Sequence, residues 1–217
     1  MEQKYTSKHI ETETANKSTM QIIGNLATSI RENTDWFEQC ILESYVHQNG
    51  FHKIVIGTID GAKLRFHIYR PGDRADENIH NHRWDFSSTI LQGVLPMTIF
   101  DITDGDEYIL HQYKKVDEQA HVDILGRCGA DHISTYAFKP KDIYYLPHNV
   151  FHRIDAVERL TITFMVCEPA HSETCELVST EDRTDPNEIR GAHLTPQELR
   201  EDLHLIEEAT KVYTGVE

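Results

Sequence analysis

Apolar residues recur at helical spacing near the start of the chain, after a polar segment that spans residues 1–17. This spacing predicts a first helix near Ser18–Arg31. Its apolar positions are Met20, Ile23, Leu26 and Ile30. A second helix is predicted from Asn33 or Thr34, with Gly50 as its stop. Its apolar positions are Phe37, Ile41, Leu42 and Tyr45.

The same periodicity returns at the end of the chain. Thr195 and Glu198 have the spacing of a capping box, and Pro196 stands at the first helical position. These features predict a terminal helix that runs to about Tyr213. One apolar stripe would face the rest of the protein, and it consists of Leu199, Leu203, Ile206 and Ala209.

Between these helices the pattern changes to short β-rich runs separated by turn residues. From Phe51, the runs FHKIVIGT and KLRFHIYR flank Asp60-Gly61, which is a strong hairpin signal. Further strand candidates are WDFSSTIL, VLPMTIFDI, EYILHQYKKV, HISTYAFK, DIYYL, HRIDAV and RLTITFMVCE. Many short strands without intervening helices predict a mainly β fold, an antiparallel barrel or sandwich.

We therefore expect three parts. Residues 1–50 form an N-terminal tail and helices, residues 51–170 form the β-barrel, and residues 171–217 form a connector and a C-terminal helix that packs on the barrel. The insertion between Asp101 and Ser134 is expected to be a loop or lid, and the acidic stretch Glu173–Asp185 a solvated connector.

Composition narrows the function classes. The chain has 217 residues and a formal net charge of -15, from 21 basic and 36 acidic residues. Such a charge repels phosphate backbones and anionic lipid, so we expect neither nucleic acid nor membranes as partners. The sequence offers no long apolar run and no secretion signal, so we expect a cytoplasmic protein. A homodimer is a weaker expectation, because exposed barrel edges often pair.

Histidine is the candidate metal ligand. The four cysteines form no C-x-x-C pair, whereas histidine occurs 14 times. Alternate residues of a strand project to one face, so His80 and His82 in His80-Asn81-His82 can grip one ion. At this composition about one such pair arises by chance, so the pair alone does not establish a site.

The surroundings of the pair strengthen the case. Within HNHRWDFSSTILQG, Gly93 follows His82 by eleven residues, and DIYYLPHNVFH ends in His152, five residues after Pro147. The first segment resembles the cupin pattern G-x5-H-x-H-x3,4-E-x6-G, and the second resembles the pattern G-x5-P-x-G-x2-H-x3-N. The resemblance spans about residues 51–168 and implies a cupin (jelly-roll-like) β-barrel with His80, His82 and His152 as metal ligands.

One departure changes the site that the resemblance implies. Phe86 stands where the usual motif has a ligand glutamate. Asp85 lies one position earlier, and a shift of one residue turns a strand side chain to the opposite face. Asp85 is therefore expected near the site, as a substrate contact or an ion-pair partner, rather than as a fourth ligand.

A cupin with three histidines and no glutamate is similar to the thiol dioxygenases, of which cysteine dioxygenase is the familiar case. The resemblance implies an iron(II) dioxygenase that oxidises a small polar metabolite with O2. Imidazole suits zinc, nickel, copper and iron alike, and manganese also stays open. The family's Ser-His-Tyr relay has no counterpart in RLTITFMVCE, so the likeness does not extend to cysteine as substrate. A metal-dependent isomerase, lyase or hydrolase and a non-catalytic small-molecule-binding cupin remain open alternatives.

Residues around the predicted ligands supply further candidates. Arg65 is a candidate contact for a substrate carboxylate, while His67 on the same strand face is expected to be solvent-facing. Trp84 shares the parity of the ligand pair and is expected to wall the cavity or pack in the core. Tyr144 or Tyr145 is a candidate proton donor, although only one of them can face inward. His148 is a further candidate, more as a turn residue or hydrogen-bond donor than as a ligand.

Overall fold

The computed structural model describes residues 13–47, 49–71, 78–116, 119–184 and 190–214. The helices of this part are α1 (Glu13–Glu32), α2 (Thr34–Glu43) and α3 (Pro196–Thr214). Its strands are β1 (Tyr45–His47), β2 (His52–Ile59), β3 (Ala62–Tyr69), β4 (Ile79–His80), β5 (Phe86–Gln92), β6 (Leu95–Val116), β7 (Gln119–Phe138), β8 (Ile143–Leu146), β9 (Phe151–Ile154), β10 (Thr161–Cys167), β11 (Thr174–Ser179) and β12 (Arg190–His193). The predicted mainly β fold with flanking helices is confirmed.

The strands form two antiparallel sheets. One has the order β12-β1-β2-β3-β10-β5-β8, and the other has the order β11-β4-β9-β6-β7. The predicted hairpin joins β2 to β3, and its turn residues Asp60 and Gly61 have φ values of 51° and 83°. Positive φ at both central positions belongs to a type I′ turn, whose twist matches that of the flanking strands.

Alternation along β3 separates two cores. Phe66 and Ile68 are fully buried against the helices, in a cluster that includes the stripe of α3. Arg65, His67 and Tyr69 project from the opposite face, between the two sheets. The helices therefore cover the outer face of the seven-stranded sheet, and the face turned toward the second sheet stays available for a site.

The terminal helix matches its prediction closely. The Thr195 hydroxyl accepts a hydrogen bond from the Glu198 backbone at 3.2 Å, and the Glu198 carboxylate accepts one from the Thr195 backbone at 2.7 Å. Leu199, Leu203 and Ile206 have no exposed surface. In the described part of the chain, every helix is too short or too polar to cross a membrane.

The boundaries of the first two helices differ from the predictions. α1 begins at Glu13 rather than near Ser18, and α2 ends at Glu43 rather than at Gly50. Ser44 is already extended (φ -91°, ψ 144°), and the next three residues form β1 between β2 and β12. Pairing on both sides satisfies the backbone groups of β1, and this gain outweighs the local helical pattern.

The insertion and the connector are also more regular than expected. Residues 101–116 and 119–134 belong to the long antiparallel ribbon of β6 and β7, rather than to a loop or lid. Within the predicted connector, β11 pairs with both β4 and β6. This pairing is decisive for the site, because it fixes β4, the strand that ends in His80.

Candidate metal centre and cavity

The structure brings the three predicted ligands together. His80 is the last residue of β4 and lies opposite His152 of β9, and His82 follows just beyond the end of β4. The ring centroids lie 4.9 Å apart for His80 and His82, 4.5 Å for His80 and His152, and 5.0 Å for His82 and His152. One ring nitrogen from each residue lies within 4.8 Å of the other two. Three imidazoles thus converge on one point.

Backbone carbonyls orient two of the rings. His80 Nδ1 lies 2.8 Å from the carbonyl oxygen of Asn78, and His152 Nδ1 lies 3.1 Å from that of Val150. A carbonyl oxygen only accepts, so each Nδ1 carries the proton and donates. The lone pair of Nε2 is therefore left for a metal, and this is the usual way in which a neighbouring group orients a ligating histidine.

Burial keeps two of the ligands in the neutral form that binds metals. Burial lowers the pKa of His152 to about 3, and the nearby His80 adds to this effect. Burial also lowers the pKa of His82 well below its usual range, assisted by His80 and His152. Only neutral imidazole ligates a metal, so the donor set fits a divalent ion of the imidazole-binding group.

Phe86 occupies the position of the missing glutamate. Its side chain is 2% exposed, and its ring centroid lies 5.1 Å from that of His82 and 6.4 Å from that of His152. An apolar ring here shields the imidazoles without offering a donor atom. Phe86 therefore packs against the imidazoles and excludes water from that side of a three-histidine centre.

Asp85, Tyr145 and His148 are not among the residues that line the cavity in the described structure. Asp85 has the expected role of an ion-pair partner, and His148 has that of a turn residue and hydrogen-bond donor. Asp85 accepts hydrogen bonds from the Tyr145 hydroxyl, from His148 Nδ1 at 2.8 Å and from the His148 backbone N–H at 2.7 Å. Tyr145 is 50% exposed, since strand alternation turns it away from the cavity when Tyr144 faces inward. These positions do not favour substrate contact by Asp85 or proton transfer by the other two.

The Asp85 cluster instead fixes the segment that carries His82. Burial raises the pKa of Asp85, but hydrogen bonds from Tyr145 and His148 outweigh this effect and lower it overall. The bond to Asp85 raises the pKa of Tyr145 to about 12. The His82 backbone N–H donates to the His148 carbonyl at 2.8 Å, and the Glu168 N–H donates to the Asp85 carbonyl at 2.9 Å. These hydrogen bonds hold the ligand segment to the turn at His148 and to the residue that follows β10.

A cavity of about 230 Å³ adjoins the three histidines. Arg65, Trp84 and Tyr144 line it, as the sequence suggested. Tyr144 is 8% exposed and packs on Phe138, with ring centroids 4.3 Å apart.

Several cavity residues were not predicted. His67 was expected to face solvent, but it is 8% exposed and lines the cavity. His67 lies on the same face of β3 as Arg65, and this was the sequence signal that could have placed it in the cavity. The sequence did not show that the helices cover the other face of β3. Lys53, Arg83 and Glu176 also line the cavity, without a motif that marks them.

Comparisons with known proteins give a fold likeness only. No protein-family model and no curated protein matches the chain. Solved structures that resemble it include a cupin superfamily protein from Desulfitobacterium hafniense, at 15% identity and a TM-score of 0.32, with 56% of this chain and 79% of that chain covered. Streptomyces albus HEPD, with 2-hydroxyethylphosphonate and Fe(II) bound, has 9% identity and a TM-score of 0.33, with 56% and 22% covered. CapF, with 3-isopropenyl-tropolone, has 15% identity and a TM-score of 0.38, with 60% and 32% covered.

Likenesses this low leave the metal and the substrate to be inferred from the chain's own residues. The two antiparallel sheets give the described part of the chain a β-sandwich architecture.

Proposed function

We propose that the chain is a metal-dependent enzyme of the three-histidine cupin type, which holds iron(II) and oxidises a small polar metabolite with O2. The observation that carries the proposal is the convergence of three imidazoles on the wall of a small cavity. Bound there, iron(II) supplies the electrons that activate O2. The donor set also accepts zinc or nickel, with which a Lewis-acid reaction without O2 is the competing function.

The chain's own residues prepare the site for such chemistry. The carbonyls of Asn78 and Val150 fix the tautomers of His80 and His152, so that Nε2 is available at both. Phe86 and other apolar side chains on the cavity wall limit the access of bulk water to the reacting groups. Among the two tyrosine candidates, Tyr144 is the one that lines the cavity, so it is our candidate for holding or donating a proton at its hydroxyl.

The metal content of the purified protein tests the centre. We expect one metal ion per chain by elemental analysis, loss of that metal in His152→Ala and His82→Gln, and retention in His204→Ala. His204 is an exposed histidine of α3, so it controls for removal of an imidazole as such. Circular dichroism separates loss of the site from loss of the fold. Wild-type metal content in both ligand variants would show that the site is assigned to the wrong residues.

Oxygen chemistry needs a separate test. Iron-loaded protein should bind nitric oxide, a surrogate for O2, with an electron paramagnetic resonance signal that His82→Gln lacks. It should also consume O2 when a pool of small polar metabolites, thiols included, is added. Stoichiometric zinc with neither response would favour the isomerase, lyase or hydrolase, and absence of any metal would favour a non-catalytic binding protein.

A further inference from the structure

Buried N–H groups without acceptors gather on the wall of the cavity. Among the described residues, three buried N–H donors have no hydrogen-bond partner, namely Arg65 Nε, Arg83 Nε and Trp84 Nε1, and the buried ring nitrogen His67 Nε2 has none either. All four belong to residues that line this one cavity. The Arg65 and His67 side chains are only 7% and 8% exposed. A buried donor without an acceptor costs free energy, so the protein leaves part of the hydrogen-bonding capacity of this wall unused.

The donors are arranged around one aromatic ring. The guanidinium carbon of Arg65 lies 4.9 Å from the ring centroid of Trp84, and that of Arg83 lies 5.3 Å from it. The same ring stacks on His82, with centroids 5.6 Å apart and an interplanar angle of 19°. Two arginines therefore lie against one flat side chain, beside the candidate metal centre.

The charges of the cavity wall do not balance. Lys53, Arg65 and Arg83 bring three positive charges, while Glu176 is the one carboxylate among the described lining residues. Glu176 Oε2 already accepts a hydrogen bond from Asn81 Nδ2 at 3.0 Å. The wall therefore has an excess of two positive charges, inside a chain whose net charge is -15. A low-dielectric concave site of this sign concentrates anions.

We propose that the substrate of this cavity is a small organic dianion, held by Arg65 and Arg83 across the face of Trp84. Arginine presents its N–H groups in a planar fork that matches carboxylate and phosphonate oxygens, so each guanidinium can take one pair of oxygens. A zwitterionic amino acid fits less well. Its ammonium group would lie near the three cationic side chains of the wall, and the one carboxylate there, Glu176, is already hydrogen-bonded to Asn81. The cavity volume of about 230 Å³ restricts the dianion to a compact molecule.

This inference depends on the proposed function only in that the cavity beside the histidines is the substrate site. Dianion binding itself needs no metal, so it can be tested separately. Titration calorimetry on the full-length protein would compare succinate, a dicarboxylate, with butyrate, a monocarboxylate of the same carbon number, at equal ionic strength. Methylphosphonate carries both charges on a single group when the pH is above its second pKa, and at such a pH it is the third probe.

We expect succinate or methylphosphonate to bind and butyrate to bind at least about tenfold more weakly, since one charge-assisted contact is lost. Arg65→Gln and Arg83→Gln should each weaken dianion binding about tenfold or more. Arg127→Gln removes the same charge from an exposed position on β7 and should change binding by less than about twofold. His152→Ala should lose metal but keep dianion binding.

Several results would overturn the proposal: butyrate binding as tightly as both dianions, neither dianion binding at millimolar concentration, or binding that both arginine variants leave unchanged. Two arginines of different exposure are used, so that a folding defect in one variant does not decide the outcome. Preference for succinate over methylphosphonate supports two separate acidic groups, and the reverse preference supports one dianionic group.

Discussion

A buried carboxylate on α3 joins the helix to the sheet that carries the cavity. The Asp202 side chain has no exposed surface, accepts a hydrogen bond from Arg70 at the end of β3, and lies 2.7 Å from His52 Nδ1 on β2. Asp202→Asn keeps the shape of the side chain but removes its charge. The change leaves Arg70 and His52 facing a neutral amide, so we expect it to destabilise the fold.

The magnitude follows from the exposure of the partners. Removing one partner of a fully buried ion pair costs about 3–5 kcal/mol. The Arg70 side chain is 32% exposed, so water recovers part of the loss. We therefore expect about 2–3 kcal/mol, which lowers the Tm of a domain of this size by about 5–10 °C.

Thermal and urea denaturation of the full chain would measure this loss. The control is Glu201→Gln, which removes the same charge from the neighbouring exposed residue of α3. In the double variant with Arg70→Gln, the combined loss should be smaller than the sum of the single losses, because the two groups share one interaction. A Tm for Asp202→Asn within about 1 °C of the control would refute the reasoning.

Two further predictions concern the ligand segment and a turn. Although burial raises the pKa of Asp85, hydrogen bonds from Tyr145 and His148 lower it overall. Asp85 therefore stabilises the fold above the pKa of an unfolded aspartate, about 4, and this gain is lost as pH falls through the lower folded pKa. The Tm advantage of wild type over Asp85→Asn should narrow from neutral pH to about pH 3, and a constant difference would contradict this. Gly93 has a φ of 81°, and an added Cβ would lie 2.4 Å from the Leu160 carbonyl oxygen, so Gly93→Ala should cost about 2 kcal/mol or more. Gly126→Ala, with nothing within 4 Å of its Cβ, should lower the Tm less, and equal losses would show that the contact with Leu160 is unimportant.

Local sequence patterns predicted correctly those features that depend on a single helix or turn. The capping box at Thr195, the stripe from Leu199 to Ala209 and the Asp60-Gly61 turn all depend on contacts within a few residues or on one amphipathic face. Such features are encoded by spacing and by backbone preferences. They were predicted correctly for that reason.

Elements stabilised by distant partners were predicted less well. The second helix was predicted to continue to Gly50, but Tyr45–His47 form a strand between β2 and β12. Part of the predicted acidic connector, Thr174–Ser179, forms β11. Backbone pairing of this kind depends on which segments lie nearby in the fold, and the local pattern does not contain that information.

The candidate centre combines both kinds of information. The sequence by itself determined the three histidines, the phenylalanine in place of a glutamate and the alternation that gives Arg65 and His67 a common face. Only the tertiary structure decided that this face lines a cavity, because α1, α2 and α3 cover the opposite face of the sheet. It also brought Lys53 and Glu176, from distant parts of the chain, to the wall that Arg83 lines. The charged groups and unpartnered donors of the cavity come from several strands. The substrate preference that they indicate can therefore be inferred only from the folded structure.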